Sequence, residues 1–404
     1  MTEIELFTAA LRLPLPWKIT EIHFETASYP KELRIKIGHD RGAQFEYEGQ
    51  FYTAYDHQAR VWRHLDFFEH VCYIEARVPR VKLEDGSVRL VEVPWAEPGS
   101  SFTLLFEKKA MQLVKDGLSK SKAGAQMRID GRCIGRMINR AVSQALAEQD
   151  LEAVEDLALD EVSITKGHNY FTILTDRQAG KVVGIAEGKD HKAVDKALID
   201  MEIRGADRSE VQTVTLDMST AYIAACDRYF PDAERVFDRF HIMKKLNEAV
   251  DAVRKEDQKQ FKELKKTKWL WLKNASKLSL AQRLKLQDLS ASLPNIGKAY
   301  RLKEQFKQFM DTAYIWNDTY LLKMWMAMAH YSGLESLQKF VKMLQKHWYG
   351  IETFFSLRAT NAMAEAFNLK IQEIKRIARG FRNKNNFKLM IYFHLGKLDL
   401  GLTH

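Results

Sequence analysis

The chain has 404 residues, 46% hydrophobic and 28% charged, enough to bury a substantial core in two or three domains. That composition excludes a disordered or collagen-like polypeptide. Lys and Arg number 62 against 53 Asp and Glu, a net charge of +9 that points to a polyanionic partner. Cys72, Cys133 and Cys226 include no CxxC pair, so neither a disulfide framework nor a structural zinc site is expected, and a reducing compartment is. The first residues lack the basic start and apolar run of a signal peptide, and no stretch approaches the length of a membrane span, so a cytoplasmic protein without membrane contact is expected.

Short β-branched and aromatic runs fill residues 1–100: Trp17–Glu25, Leu33–Ile37, Phe45–Tyr52, Val71–Val81 and Val88–Val93. They predict a β-rich N-terminal domain. Tyr55, His57, Arg60, Trp62, Arg63 and His64 interleave basic and aromatic groups, which suits either DNA contact or a solvated strand face. Pro94–Ser100, PWAEPGS, reads as a linker. From Phe102 the period becomes helical, with a short helix over Ser119–Met127 and a longer one over Asp130–Leu146 that puts Ile134, Met137, Ile138 and Val142 on one face. With Arg132, Arg136 and Arg140 on the longer helix, residues 101–150 fit a helix-turn-helix or any three-helix bundle with surface arginines.

Residues 151–256 read as α/β. Glu155–Ile164, His168–Asp176 and Lys181–Glu187 are strand-like, and Asp190–Met201 is helical. The central stretch is VQTVTLDMSTAYIAACDRYFPDAERVFDRFHIMKKL, Val211 to Leu246: strand, helix, strand, helix. Val211–Leu216 is apolar without alternation, as in a strand buried on both faces, and ends at Asp217. In open α/β sheets ligands gather at the carboxyl ends of strands, which is where Asp217, Asp238 and His241 fall. Asp217 is equally a turn or capping residue when taken alone. If the strand holding Asp160 neighbours the one ending at Asp217, the two carboxylates can share a metal.

Residues 257–355 are helical and basic at the start, where KKTKWLWLKN carries Trp269 and Trp271; these tryptophans suit base stacking or a helix core. They form an all-helical insertion. In residues 356–404, Asn361, Glu365 and Asn368 share one face of a helix over Ala359–Ala378, and Lys375, Arg376, Arg379 and Arg382 make a basic run suited to phosphates.

The blocks LALDEVSITKGHNYFTILTD, VTLDMSTAYIAACDRYFPDAERVFDRFHIMKKLNEAVD, KKTKWLWLKN and TNAMAEAFNLKIQEIKRIARGFRNKNNFKLMIYFHLG resemble, in order, those of the ISL-three family of bacterial insertion-sequence transposases. The resemblance implies an α/β ribonuclease-H-like catalytic core, a mixed sheet flanked by helices, interrupted by the helical insertion. It implies a DDE triad at Asp160, Asp217 and Glu365 that binds Mg2+ or Mn2+, two ions per site. Asp238 and His241 match a D-x-x-H signature beside the triad, and Asn361 and Asn368 flank Glu365. The partners implied are double-stranded DNA, as terminal inverted repeats and target, and a second copy in a homodimer or larger synaptic complex on the bacterial nucleoid. Many relatives have paired cysteines in an N-terminal zinc module, whereas residues before Pro94 hold only Cys72, so no structural zinc is expected. A ribonuclease-H-like nuclease without strand transfer and an inactive DNA-binding regulator are the alternatives.

Overall fold

The computed structural model describes residues 2–27, 29–164, 169–357 and 362–402; the side chains of Ala362, Ala364 and Glu365 fall outside that description. The chain forms two compact units, Met1–Val142 with Asp399–His404, and Ser143–Leu398.

In the first unit, α1 (Glu3–Leu11) starts from a capping box between Thr2 and Glu5. Seven strands follow: β1 (Trp17–Glu25), β2 (Glu32–His39), β3 (Gln44–Tyr47), β4 (Gln50–Thr53), β5 (Asp56–Arg63), β6 (Val71–Lys82) and β7 (Val88–Leu90). The order β1-β2-β6-β5, with β7 also on β6, makes a mixed sheet, and β3 and β4 form a separate hairpin. The single strand expected over Phe45–Tyr52 is thus two, because Glu48 and Gly49 take positive φ (49° and 79°) and reverse the chain. Leu33, Ile35, Ile37, Cys72, Ile74 and Ala76 fill a core completed by Trp17, Trp62 and Trp95. Two expectations change here. Trp62 and Arg63 are buried in that core rather than offered to DNA, and the stretch read as a linker contributes Trp95 and Ala96 to it.

Three helices follow, α2 (Leu104–Lys115), α3 (Lys120–Gln126) and α4 (Gly131–Glu148), the last running a few residues past Val142. Ser119 caps α3 through the Lys122 amide. A Cβ at Gly124 would sit 2.7 Å from the Ile129 carbonyl, and one at Gly131 would sit 2.7 Å from the Lys120 carbonyl. Only glycine lets α3 and α4 approach this closely, giving the tight corner of a helix-turn-helix.

The second unit opens with β8 (Asp156–Ser163), β9 (Tyr170–Asp176), β10 (Lys181–Glu187), α5 (His191–Glu202), β11 (Thr213–Leu216), α6 (Thr220–Tyr229), β12 (Glu234–Phe237) and α7 (Arg239–Asp257). The strands order as β10-β9-β8-β11-β12, antiparallel from β10 to β8 and parallel from β8 to β12. On α7 the buried stripe runs through Ile242, Leu246, Val250 and Val253, while Phe240 is 48% exposed.

Six helices follow: α8 (Lys268–Leu272), α9 (Leu280–Ser292), α10 (Pro294–Trp316), α11 (Tyr320–His330), α12 (Glu335–Lys346) and α13 (Trp348–Ser356). Their buried side chains join one hydrophobic cluster with Leu157, Leu159, Val214 and Leu216 of the sheet, so helices and sheet share a core. The helices α14 (Ala362–Ile377) and α15 (Lys384–Leu395) then return to the sheet, α14 on β8 and α15 on β10. Among the described residues no helix is long and apolar enough to cross a membrane.

Candidate active site at the parallel strand ends

Asp160 lies in β8, and Asp217 and Asp238 follow the last residues of β11 and β12. Thr215 of β11 pairs with Ala158 of β8, and Leu216 pairs with Phe237 of β12. Asp160 lies two residues past the last β8–β11 pair, and Asp217 and Asp238 directly follow the last β11–β12 pair, so the three make a row at the same ends of three neighbouring strands. Local turn chemistry holds the row. Asp217 accepts from the Ser219 amide at 2.9 Å, Ser219 caps α6, and Asp238 caps α7 through the Phe240 amide at 2.7 Å.

The first turn of α7 brings His241 back to the row, its Nε2 3.9 Å from Asp160 and 4.0 Å from Asp238. From the other side, α14 lies over the sheet face bearing Asp160. Asn368 Nδ2 donates to Asp160 Oδ2 at 2.7 Å, and the Glu161 amide donates to Oδ1 at 2.7 Å. A cavity of about 30 Å³ beside this contact is lined by Ala158, Asp160 and Thr215 of the sheet and by Met363, Phe367 and Asn368 of α14. Burial pushes the Asp160 carboxyl above its ordinary pKa; Asn368, the Glu161 amide and His241 oppose that, and Asp217 adds to it.

Hard oxygen donors crowded at a buried strand end are a suitable setting for a divalent cation, which would relieve both desolvation and like-charge repulsion. Glu365 lies in α14, three residues before Asn368; its side chain, and all of Asn361, fall outside the described residues. Among the described residues no three His, Cys, Asp or Glu side chains gather into a metal-binding group.

Pattern reading missed a strut at this site. Arg239, inside the D-x-x-H segment, pairs with Asp311 of α10 and so ties the start of α7 to the helices beyond it. No local signal in the sequence pairs residues 72 positions apart.

The expected DNA-contact residues divide by burial. Trp269 is 66% exposed, but Trp271 is fully buried and donates from Nε1 to Thr267 Oγ1 at 3.1 Å. Trp271 is therefore a core residue and not a DNA contact, which corrects the sequence reading. Arg132 and Arg136 of α4 are exposed, whereas Arg140 is paired with the buried Glu107, which also accepts from Ser100 Oγ. Arg376, Arg379 and Arg382 are exposed; Lys375 spends its ammonium on the Ser163 carbonyl at 2.6 Å.

A sheet with carboxylates at its parallel strand ends, in a chain that also folds a helix-turn-helix, is the equipment of an enzyme acting on DNA. Residues 157–391 match the DDE transposase model of the ISL3 family, and residues 91–142 match the helix-turn-helix domain of transposase family ISL3. The protein is thus a DDE transposase, a class that implies DNA binding and dependence on a divalent metal. The chain belongs to the ISL3 family. It is 27% identical over 347 residues to the transposase for insertion sequence element IS1001 of Bordetella parapertussis, covering 81% of this chain and 82% of that one. It is 25% identical over 357 residues to the transposase for insertion sequence element IS1557 of Mycobacterium tuberculosis, covering 80% and 79%.

Residues 49–82 match a third model, the zinc-finger of transposases IS204, IS1001, IS1096 and IS1165. The residues present do not fit zinc. Cys72, the one cysteine in that span, is buried with its thiol pushed up to about 12 by desolvation, and His64 is engaged with Thr103 Oγ1 at 2.8 Å.

Proposed function

We propose that this chain binds the terminal inverted repeats of an insertion sequence, cuts at the element's ends and joins the freed 3′-hydroxyls to target DNA. Asp160, Asp217 and Glu365 are the carboxylates that would hold two Mg2+ or Mn2+ ions, with Asp238, His241, Asn361 and Asn368 as supporting groups. Bound there, the metal supplies an activated oxygen nucleophile and neutralises charge on the phosphate and leaving oxygen. Asn368 orients the Asp160 carboxylate, and the side chain of His241 lies where it can balance charge between Asp160 and Asp238. In the first step water opens a phosphodiester and leaves a 3′-hydroxyl. In the second, that hydroxyl attacks a target phosphodiester and displaces another 3′-oxygen.

The observation that carries this reading is the parallel pairing of β8 with β11, which sets the strand that leads into Asp217 beside the strand that bears Asp160, together with the Asn368 bond from the helix that also bears Glu365. The mixed β8–β12 sheet with its flanking helices supports a ribonuclease-H-like core, in which residues 151–256 and 356–404 are the two parts and residues 257–355 the insertion. Residues 1–100 and 101–150 then serve DNA binding, with Arg132 and Arg136 on the groove-facing helix and Arg376, Arg379 and Arg382 on phosphates. Such an enzyme works in the cytoplasm, at the nucleoid.

The test is cleavage and joining of labelled DNA carrying the element's ends, with Mg2+ or Mn2+, by the wild type and Asp217→Ala. Metal-dependent cutting with a joined product, lost in the variant while end binding persists, is the expected result. Cutting without joining would indicate a nuclease, and binding without cutting by either protein a regulator.

A further inference from the structure

We propose that the outer face of α11 is a self-association surface through which two copies of this chain pair. The helix reads YLLKMWMAMAH and is apolar on both sides. Its inner side is filled: Leu322, Trp325 and Ala329 are 0–1% exposed, and the Trp325 Nε1 donates to the Leu302 carbonyl at 2.8 Å. Its outer side is open. Tyr320 (63% exposed), Met324 (46%), Met328 (43%) and Tyr331 (84%) recur at spacings of four, four and three, which places them in one strip about 80° wide. Just before the turn at Asn317, α10 adds Ile315 and Trp316, 62% and 75% exposed.

A helix apolar all round belongs inside something. At roughly 150–250 Å² for a large side chain, the exposed fractions of these six residues add up to on the order of 600–900 Å². That is at or above the roughly 300–600 Å² of the largest patch on an ordinary monomer and comparable with the roughly 800 Å² that each partner gives to a stable interface.

Charge selects the occupant. A nucleic acid needs Lys and Arg for its phosphates, and the strip offers none. Lys323, the one ammonium of α11, flanks the strip and is held by Glu352 at 3.1 Å. The exposed arginines at 376, 379 and 382 lie on other elements. An uncharged strip of Tyr, Trp and Met has the composition of a protein interface core, and a single straight strip is self-complementary when a second copy packs antiparallel about a twofold axis. The inference deepens the transposase reading, which requires two element ends to be held together, but its primary measurement, the association state, needs no DNA.

The measurement is sedimentation equilibrium of the full chain, wild type against the double variant Met324→Glu/Met328→Glu, with thermal melts to establish that both are folded. A wild-type dimer with a dissociation constant of about 10 µM or tighter is expected, weakened at least about tenfold in the variant. As an independent measurement, Met328→Cys treated with a short bismaleimide should give a cross-linked dimer that the wild type, with its own three cysteines, does not. A wild type that stays monomeric at about 50 µM, or a double variant that dimerises equally well, overturns the proposal. So does a variant that keeps its dimer and loses DNA affinity, because the strip would then face DNA. A wild type that dimerises but does not cleave would instead count against the catalytic reading and leave this one standing.

Discussion

On the N-terminal sheet, Glu21 meets Lys36 at 2.8 Å, Arg34 meets both Glu32 and Glu75, and Arg80 meets Asp56 at 2.6 Å. On the β8–β12 sheet, Asp156 at the start of β8 is matched in the same way by Arg177 at 3.0 Å, but Asp160 further along meets an amide, a backbone N–H and an imidazole instead. The difference separates charges that hold a sheet together from charges kept available. A paired carboxylate has spent its field on a neighbour, whereas a buried one held by weak donors keeps a negative potential for a cation, at a cost in stability.

Four changes would break or sharpen that contrast. The largest effect is expected from Asp160→Asn, which keeps the shape and removes the charge. Cleavage should fall about 1,000-fold or more, while the metal-free protein melts no lower than the wild type, because a desolvated charge next to Asp217 has been removed. A clear drop in melting temperature would mean that Asp160 is structural.

Arg63→Ala should do the reverse. Arg63 is buried, donates to the His64 and Cys72 carbonyls and pairs with Asp66, so its loss strands those groups and costs about 3–5 kcal/mol in denaturant unfolding. An effect below about 1 kcal/mol would place Arg63 among ordinary surface pairs.

His64 makes the N-terminal unit acid-sensitive. Burial first, then Arg63, hold its pKa down to about 4, so the folded protein keeps the ring neutral while the unfolded chain takes up a proton near pH 6.5. Its contribution is intact above about pH 6.5 and is lost as pH falls toward 4, by roughly 3 kcal/mol in all. Melting curves between pH 7 and 4.5 should steepen that loss in the wild type and flatten it in His64→Gln; parallel curves would exclude His64 as the cause.

The smallest effect belongs to Asn368→Ala. Removing one donor from Asp160 should slow cleavage about 10- to 100-fold, with little change in melting. Restoration by Asn368→Ser but not by Asn368→Leu would assign the effect to the hydrogen bond, and an unchanged rate in Asn368→Ala would remove Asn368 from the site.

Much of this was legible in local sequence. The strands Trp17–Glu25 and Lys181–Glu187 fall where periodicity put them, and Ser119 and Ser219 cap the helices they precede. Asp217 and Asp238 were visible as charges at the ends of buried strands. Such features depend on neighbours within a few residues, and the pattern of 2.0 or 3.6 records them directly.

Tertiary structure decided what a period cannot carry. Trp269 and Trp271 share one short helix and the same chemistry, yet a two-residue step turns them to opposite sides, and which side meets a core depends on helices that come later in the chain. Arg63 and Arg140 read as surface cations until Asp66 and Glu107 claim them. The pairing that sets β11 beside β8, and the hydrogen bond that Asn368 gives Asp160 across 208 residues, exist only after the sheet has closed. The sequence by itself determined which residues could do the chemistry; long-range pairing, which no local pattern encodes, decided which of them meet.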